Sequence, residues 1–269
     1  MATQLATKHA VSSKPTFSSK QGRNLDCSEE EWAIRQELAA CYRIFDLMGW
    51  SESIYNHISA RVPGEDNAFL INPYGLLYSE ICASNLVKID IDGNNLDGST
   101  YPVNKAGFTQ HGYFHRHLDW AHAICHTHTT ATMAVASLEC GLQPVNFYAC
   151  NFAGRIGYHD FEGVTVRAEE GERLLANLDN KRILFLKNHG PVVLGKSIPE
   201  IFVMHWSFQR ACEIQLATMA AGKPIVVSQE VIDVHQRDLG QAQLPGGPGA
   251  ADFAAWTRQI DKIDRSWRD

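Results

Sequence analysis

One mixed α/β domain spanning roughly residues 28–225, with an appendage at each end, is the fold class that the sequence predicts. Three observations predict it. Apolar residues recur at helical spacing near both ends of that span. The stretch between about 57 and 102 breaks into short β-like runs separated by turn residues. Strands and helices then follow one another without regular β–α alternation, and no internal repeat or Gly-rich phosphate loop interrupts them. The 269 residues suit one large domain, which at this size buries about 70–75% of its unfolded surface.

The elements follow in chain order. Residues 1–27 carry Lys8, Lys14, Lys20 and Arg23, little apolar bulk and no continuous apolar run of the kind a signal peptide needs. A disordered tail is expected there. Ser28-Glu29-Glu30-Glu31 is a capping-box pattern, and Trp32, Leu38, Cys41, Tyr42, Phe45 and Met48 mark a helix that Gly49 stops. Ala68–Asn72 and Leu86–Ile91 read as strands, bounded by Pro73-Tyr74-Gly75 and the Asp92-Gly93 turn. Phe108, His111, Phe114 and Leu118 share a helix face. Ala123–His126 reads as a buried strand with a helix, Thr130–Leu138, behind it. Val164–Val166, Ile183–Lys187 and Pro191–Leu194 read as further strands, and Pro199–Ala221 as a long helix. Within the appendage 226–269, Gly240–Gly249 reads as linker. Phe253, Trp256, Ile260, Ile263 and Trp267 then mark a last amphipathic helix that packs on the body or on a neighbouring subunit.

Composition narrows the function. A net charge of −6 argues against a dedicated nucleic-acid partner. No apolar run approaches the roughly 20 residues of a membrane span. Seven Cys, an odd number without a C-x-x-C, read as free thiols in a reducing compartment, so a cytoplasmic protein is expected. The 12 His stand out, because His is both the commonest metal ligand and a ready acid–base group.

Cys125-His126-Thr127-His128 is the first place where spacing carries chemistry. Residues i and i+2 of a strand face the same side, so His126 and His128 can present two imidazoles to one ion. His189, in Lys187-Asn188-His189-Gly190-Pro191, follows an apolar strand at a turn that exposes it at a sheet rim. Three His with a vacant position describe a catalytic metal centre better than a closed structural one. Zinc comes first, with manganese and iron also compatible with imidazole. His111 and His115 lie four apart on one helix face. His205 sits among Phe202 and Phe208 as a core or interface residue, and His57 and His159 fall in polar loops.

These residues, with others in order along the chain, resemble the class II aldolase/adducin family. The matching segments are Asn56-His57-Ile58-Ser59-Ala60-Arg61, Leu70-Ile71-Asn72-Pro73-Tyr74-Gly75-Leu76, Leu86–Gly93, Asn104-Lys105-Ala106-Gly107-Phe108, His126-Thr127-His128 and Lys187-Asn188-His189-Gly190. The resemblance is closest to the adducin-like branch. It implies a three-layer α/β/α sandwich around a mainly antiparallel sheet. It also implies a divalent metal on His126, His128 and His189, and a homotetramer with active sites between subunits.

Two departures from the family's sugar-phosphate aldolases matter. Their Pro-Ser-Gly turn, which helps bind phosphate, is Pro73-Tyr74-Gly75 here. Their Ser-Ser-acid stretch is Lys105-Ala106-Gly107 here, so Gly107 stands at the acidic position. A standard fuculose- or rhamnulose-phosphate aldolase is therefore not expected. A three-His metal remains a Lewis acid able to stabilise an enolate-like intermediate, which both aldol cleavage and decarboxylation require. Decarboxylation tolerates the missing acid better, since it needs no base to start. The expectation is a metal-dependent carbon–carbon lyase acting on a small oxygenated acid. Its proton donor is expected at Tyr148, its acid–base group or extra ligand at His111, and its carboxylate-holding cations at Lys105 and Arg61. Asn56, His57 and Tyr74 complete the expected substrate-binding set. The alternative is a non-enzymatic adducin-like module for oligomerisation or partner binding.

Overall fold

The structure, a computed structural model, describes residues 16–18, 24–241 and 245–269. Strands β1 (Thr16–Ser18) and β2 (Asn24–Asp26) pair antiparallel, and Leu25 and Cys27 are buried. This corrects the expected disorder of 1–27 where residues are described, and the remainder of that segment lies outside them. The physical reason is that Leu25 and Cys27 supply apolar anchors that the basic residues around them obscure in a composition reading.

Helix α1 (Glu29–Leu47) starts as the sequence predicts, with the Ser28 hydroxyl accepting from the Glu31 amide at 3.0 Å. The reciprocal half of the capping box is not formed. The Glu31 carboxylate is instead buried between Arg35 Nε at 2.8 Å and Lys88 Nζ at 2.9 Å. Strands β3 (His57–Arg61), β4 (Ala68–Ile71) and β5 (Val87–Asp90) follow, then α2 (Lys105–His117), capped by Asn104. Next come β6 (Ala123–His126), α3 (Thr130–Ala136), α4 (Phe147–Cys150), β7 (Ile156–His159) and α5 (Glu170–Leu178). The chain ends with β8 (Ile183–Leu186), β9 (Gly190–Gly195), α6 (Ile198–Ala221), α7 (Gln229–Gln241) and α8 (Ala250–Ile263).

Seven strands form one sheet in the order β5-β4-β3-β6-β9-β8-β7, antiparallel except for the β7–β8 pair. Successive residues of its central strands face opposite cores, as strand geometry requires. Cys125, Val193, Ile183 and Phe185 join a core with α1 and α6. Ile124, Leu194, Leu184 and Leu186 join another with Phe114 of α2 and Leu174 of α5. The result is the three-layer α/β/α sandwich around a mainly antiparallel sheet. Helix α8 packs on α1 and α6, burying Phe253 and Ile260.

Three local readings change. Val164–Val166 is not a strand, and Val164 is 66% exposed in a loop. A three-residue Val-Thr-Val stretch is too short for its alternation to distinguish a strand from a loop. The edge strand in that region is β7, which Gly157 and its shortness hide from a periodicity reading. His57 and His159 belong to β3 and β7 and are buried, not in polar loops. Within the expected linker, α7 runs to Gln241, residues 242–244 lie outside the described ones, and 245–249 are turns. Among the described residues no helix is long and apolar enough to cross a membrane. All seven cysteines are free.

Candidate metal centre

His126 ends β6, and His128 lies two residues beyond it. The amide of His128 donates to Asn56 Oδ1 at 3.1 Å, while the Asn56 amide donates to the Trp50 carbonyl at 2.9 Å. Asn56 therefore clamps the segment after β6 and is not a lining residue of the cavity described below. His189 sits in the β8–β9 turn, where Asn188 takes a left-handed backbone (φ 56°) and donates its amide to Ala136. At Gly190 a β-carbon would stand 2.3 Å from the Thr127 carbonyl, so glycine lets the turn close onto the His126–His128 segment.

The three Nε2 atoms converge. They are separated by 2.8 Å (His126–His128), 2.9 Å (His128–His189) and 3.2 Å (His126–His189). A carbonyl can only accept, so His126 Nδ1 donates to Pro191 at 3.0 Å and its Nε2 carries a lone pair. Burial pushes His126 well below its ordinary pKa, lowers His128, and takes His189 down to about 4, with repulsion from neighbouring rings adding at His126 and His189. Neutral imidazoles with facing lone pairs repel unless a cation stands between them. Their spacing suits bonds of about 2.0–2.1 Å to a single ion, and the donor set fits a divalent transition metal. The His126–Pro191 bond is the outer-layer contact that holds such a ligand in one tautomer.

The cluster opens on a cavity of about 470 Å³, also lined by His57, Tyr74, Tyr55, Asn104 and Gln110. The structure thus brings His57 and Tyr74 to the cluster. It does not bring the other expected residues. Arg61 lies at the opposite end of β3, its guanidinium spent on the carbonyls of Ala121, Asp66, His115 and Leu118. Four residues of strand carry it about 13 Å from His57. His111 is fully buried behind His57, whose Nδ1 it meets at 3.0 Å, and it does not line the cavity. Lys105 is exposed at the start of α2, next to lining residues but not itself one of them. Tyr148 packs against Phe147 and Trp206, outside the cavity.

Gln110 escaped the sequence reading. It is buried, its Oε1 has no partner among the described residues, and it lies one turn from Gly107 on the face of α2 that meets the cavity. No motif marks a lone Gln, so only the cavity reveals it.

The model of the family described as the Class II Aldolase and Adducin N-terminal domain matches residues 36–216. Alpha-adducin of Rattus norvegicus is 46% identical over 233 residues, which cover 84% of this chain and 31% of that protein. An aldolase II superfamily protein from Pseudomonas syringae superimposes with a TM-score of 0.84 at 39% identity, covering 90% of this chain and 98% of that one. L-fuculose 1-phosphate aldolase from Glaciozyma antarctica superimposes with a TM-score of 0.79 at 25% identity, covering 95% and 96%.

Proposed function

Since the chain belongs to the class II aldolase and adducin family, we propose that it is a metal-dependent carbon–carbon lyase. It acts on a small oxygenated acid, by decarboxylation or retro-aldol cleavage. One observation carries this reading: three neutral imidazoles, His126 buried and His128 and His189 half-buried, aim their Nε2 atoms at a common point beside a cavity of substrate size. His126, His128 and His189 hold the ion, and zinc is the metal proposed. A bound divalent ion supplies Lewis-acid polarisation of a substrate oxygen.

The chain's own groups do the rest. Asn56 and Pro191 orient His128 and His126. Tyr74 and His57 border the substrate, and Lys105 offers a cation at the edge of the site. Tyr148 serves as proton donor only if a neighbouring subunit's copy closes the site. A homo-oligomer, a tetramer as in the family, is therefore part of the proposal. The exposed apolar groups Phe161 and Val164 at the cavity support it, since a neighbouring subunit would cover them. A cytoplasmic location fits seven free thiols.

The 46% identity to alpha-adducin favours a second reading, a non-enzymatic module for oligomerisation or partner binding. Such a module has no need of three convergent imidazoles. Elemental analysis of protein purified without chelator, followed by assay on a panel of hydroxy- and keto-acids, separates the two. The lyase requires a stoichiometric divalent ion and turnover of at least one acid. A metal-free preparation that takes up no added ion leaves the module.

A further inference from the structure

Behind the metal centre runs a buried chain of polar side chains that ends on a backbone carbonyl. His115 Nδ1 lies 3.0 Å from the Ala121 carbonyl, and His115 Nε2 lies 2.9 Å from Ser59 Oγ. Ser59 Oγ lies 2.7 Å from His111 Nδ1, and His111 Nε2 lies 3.0 Å from His57 Nδ1. All four residues are at most 4% exposed.

The direction of every proton follows from the terminal carbonyl, which can only accept. His115 therefore carries its proton on Nδ1 and presents a lone pair on Nε2. Ser59 donates to that lone pair, so its oxygen is left to accept from His111 Nδ1. His111 Nε2 is then an acceptor, which requires the proton of His57 on Nδ1. Burial keeps His115 and His111 neutral, so no link carries a second proton. His57 is left with a lone pair on Nε2. That atom has no partner among the described residues, and the ring borders the cavity 5.1 Å from the ring of His126, its cross-strand neighbour. Gly107 completes the arrangement, because a β-carbon there would stand 2.9 Å from His57 Cδ2.

We infer that His57 is a substrate-contacting residue whose Nε2 accepts a hydrogen bond from a hydroxyl group of the ligand at the three-His cluster. Ser59, His111 and His115 are positioning residues that hold it in the accepting tautomer. The inference rests on the proposed metal site and deepens it. The ligand class is an α-hydroxy acid, with a carboxylate or carbonyl oxygen at the cluster and a hydroxyl hydrogen toward His57. An ether at the same place sets acceptor against acceptor and leaves both unpaired.

Two measurements on the full chain test this. In metal-free protein labelled with 15N-histidine, the ring-nitrogen shifts of His57 should report Nδ1–H and a bare Nε2. Ser59→Ala breaks the chain and should give a mixture of tautomers. A proton on Nε2 in the wild type, or an unchanged tautomer in Ser59→Ala, overturns the relay. In zinc-loaded protein, calorimetric titration should favour glycolate over methoxyacetate by about tenfold, the worth of one hydrogen bond with its unpaired penalty. His57→Phe should erase that preference, and Ser59→Ala should reduce it should the first variant not fold. A preference kept in the folded variants overturns the contact. Failure to take up zinc would instead remove the metal reading, and the tautomer measurement still decides the relay.

Discussion

The imidazole of His57 lies against Gly107 so closely that a β-carbon on residue 107 would stand 2.9 Å from its Cδ2. A glycine on α2 and a histidine on β3 thus share one space. Gly107→Ala should therefore lose stability, although an alanine inside a helix ordinarily gains about 1 kcal/mol over glycine. Overpacking of this kind costs about 1–3 kcal/mol. Urea denaturation measures the difference, and a more stable variant would show that His57 moves aside freely.

The same pair bears on substrate choice. No carboxylate side chain stands at position 107, and the bulky phenol of Tyr74 lines the cavity from the Pro73-Tyr74-Gly75 turn. Phosphorylated ketoses should be cleaved about 10²–10⁴-fold more slowly than the protein's own acid substrate, the range a missing acid–base group accounts for. Steady-state rates on ketose phosphates check this, and efficient cleavage of one would defeat the reasoning from Tyr74 and Gly107.

Removing a ligand should remove the metal and little else. His126→Ala or His189→Ala should lower zinc affinity by more than the 10–100-fold typical of losing an outer-layer partner. The circular dichroism and the assembly size should stay as in the wild type, because both rings line the cavity. Stoichiometric zinc in either variant would place the ion elsewhere.

Stability should fall in mild acid. Burial takes His115 and His205 each down to about 3, against about 6.5 for an exposed histidine. Between those values the unfolded chain binds protons that the folded chain refuses, so unfolding free energy rises with pH. Their contribution is fully present above about pH 6.5 and is lost as pH falls toward 3. Well inside that window each group costs about 1.4 kcal/mol per pH unit. Denaturation midpoints at pH 7 and pH 5 give the slope, and a flat profile would mean that these rings protonate without unfolding the chain.

Much of this was legible in the sequence, for identifiable reasons. The helix from Glu29 announces itself by its cap and periodicity and the helix to Ala221 by periodicity, and the Ser28 hydroxyl binds an amide as its position suggests. The His-x-His pair and the His before Gly190 were visible because metal ligands need particular side chains at particular spacings. The weaker readings fail where one local signal stands for a long-range fact. Val164 and Val166 are apolar, yet they lie in a loop at least 39% exposed. Arg61, only four residues from His57, is spent on carbonyls at the far end of the same strand. Gln110 carries no pattern at all.

By itself, the sequence determined which side chains could bind an ion and that the chain forms one mixed α/β domain, because spacing and periodicity are properties of neighbours along the chain; the three layers came from the family resemblance. Tertiary structure alone decided that β3 and β6 lie side by side, so that His57 meets His126 across the sheet. It alone set His111 behind that ring, with Ser59 and His115 completing a path to the Ala121 carbonyl. The sense of each hydrogen bond in that path is set by its last acceptor, 64 residues beyond His57 in the chain (121 against 57). No local pattern carries such information, because a tautomer is fixed by partners that only folding brings together.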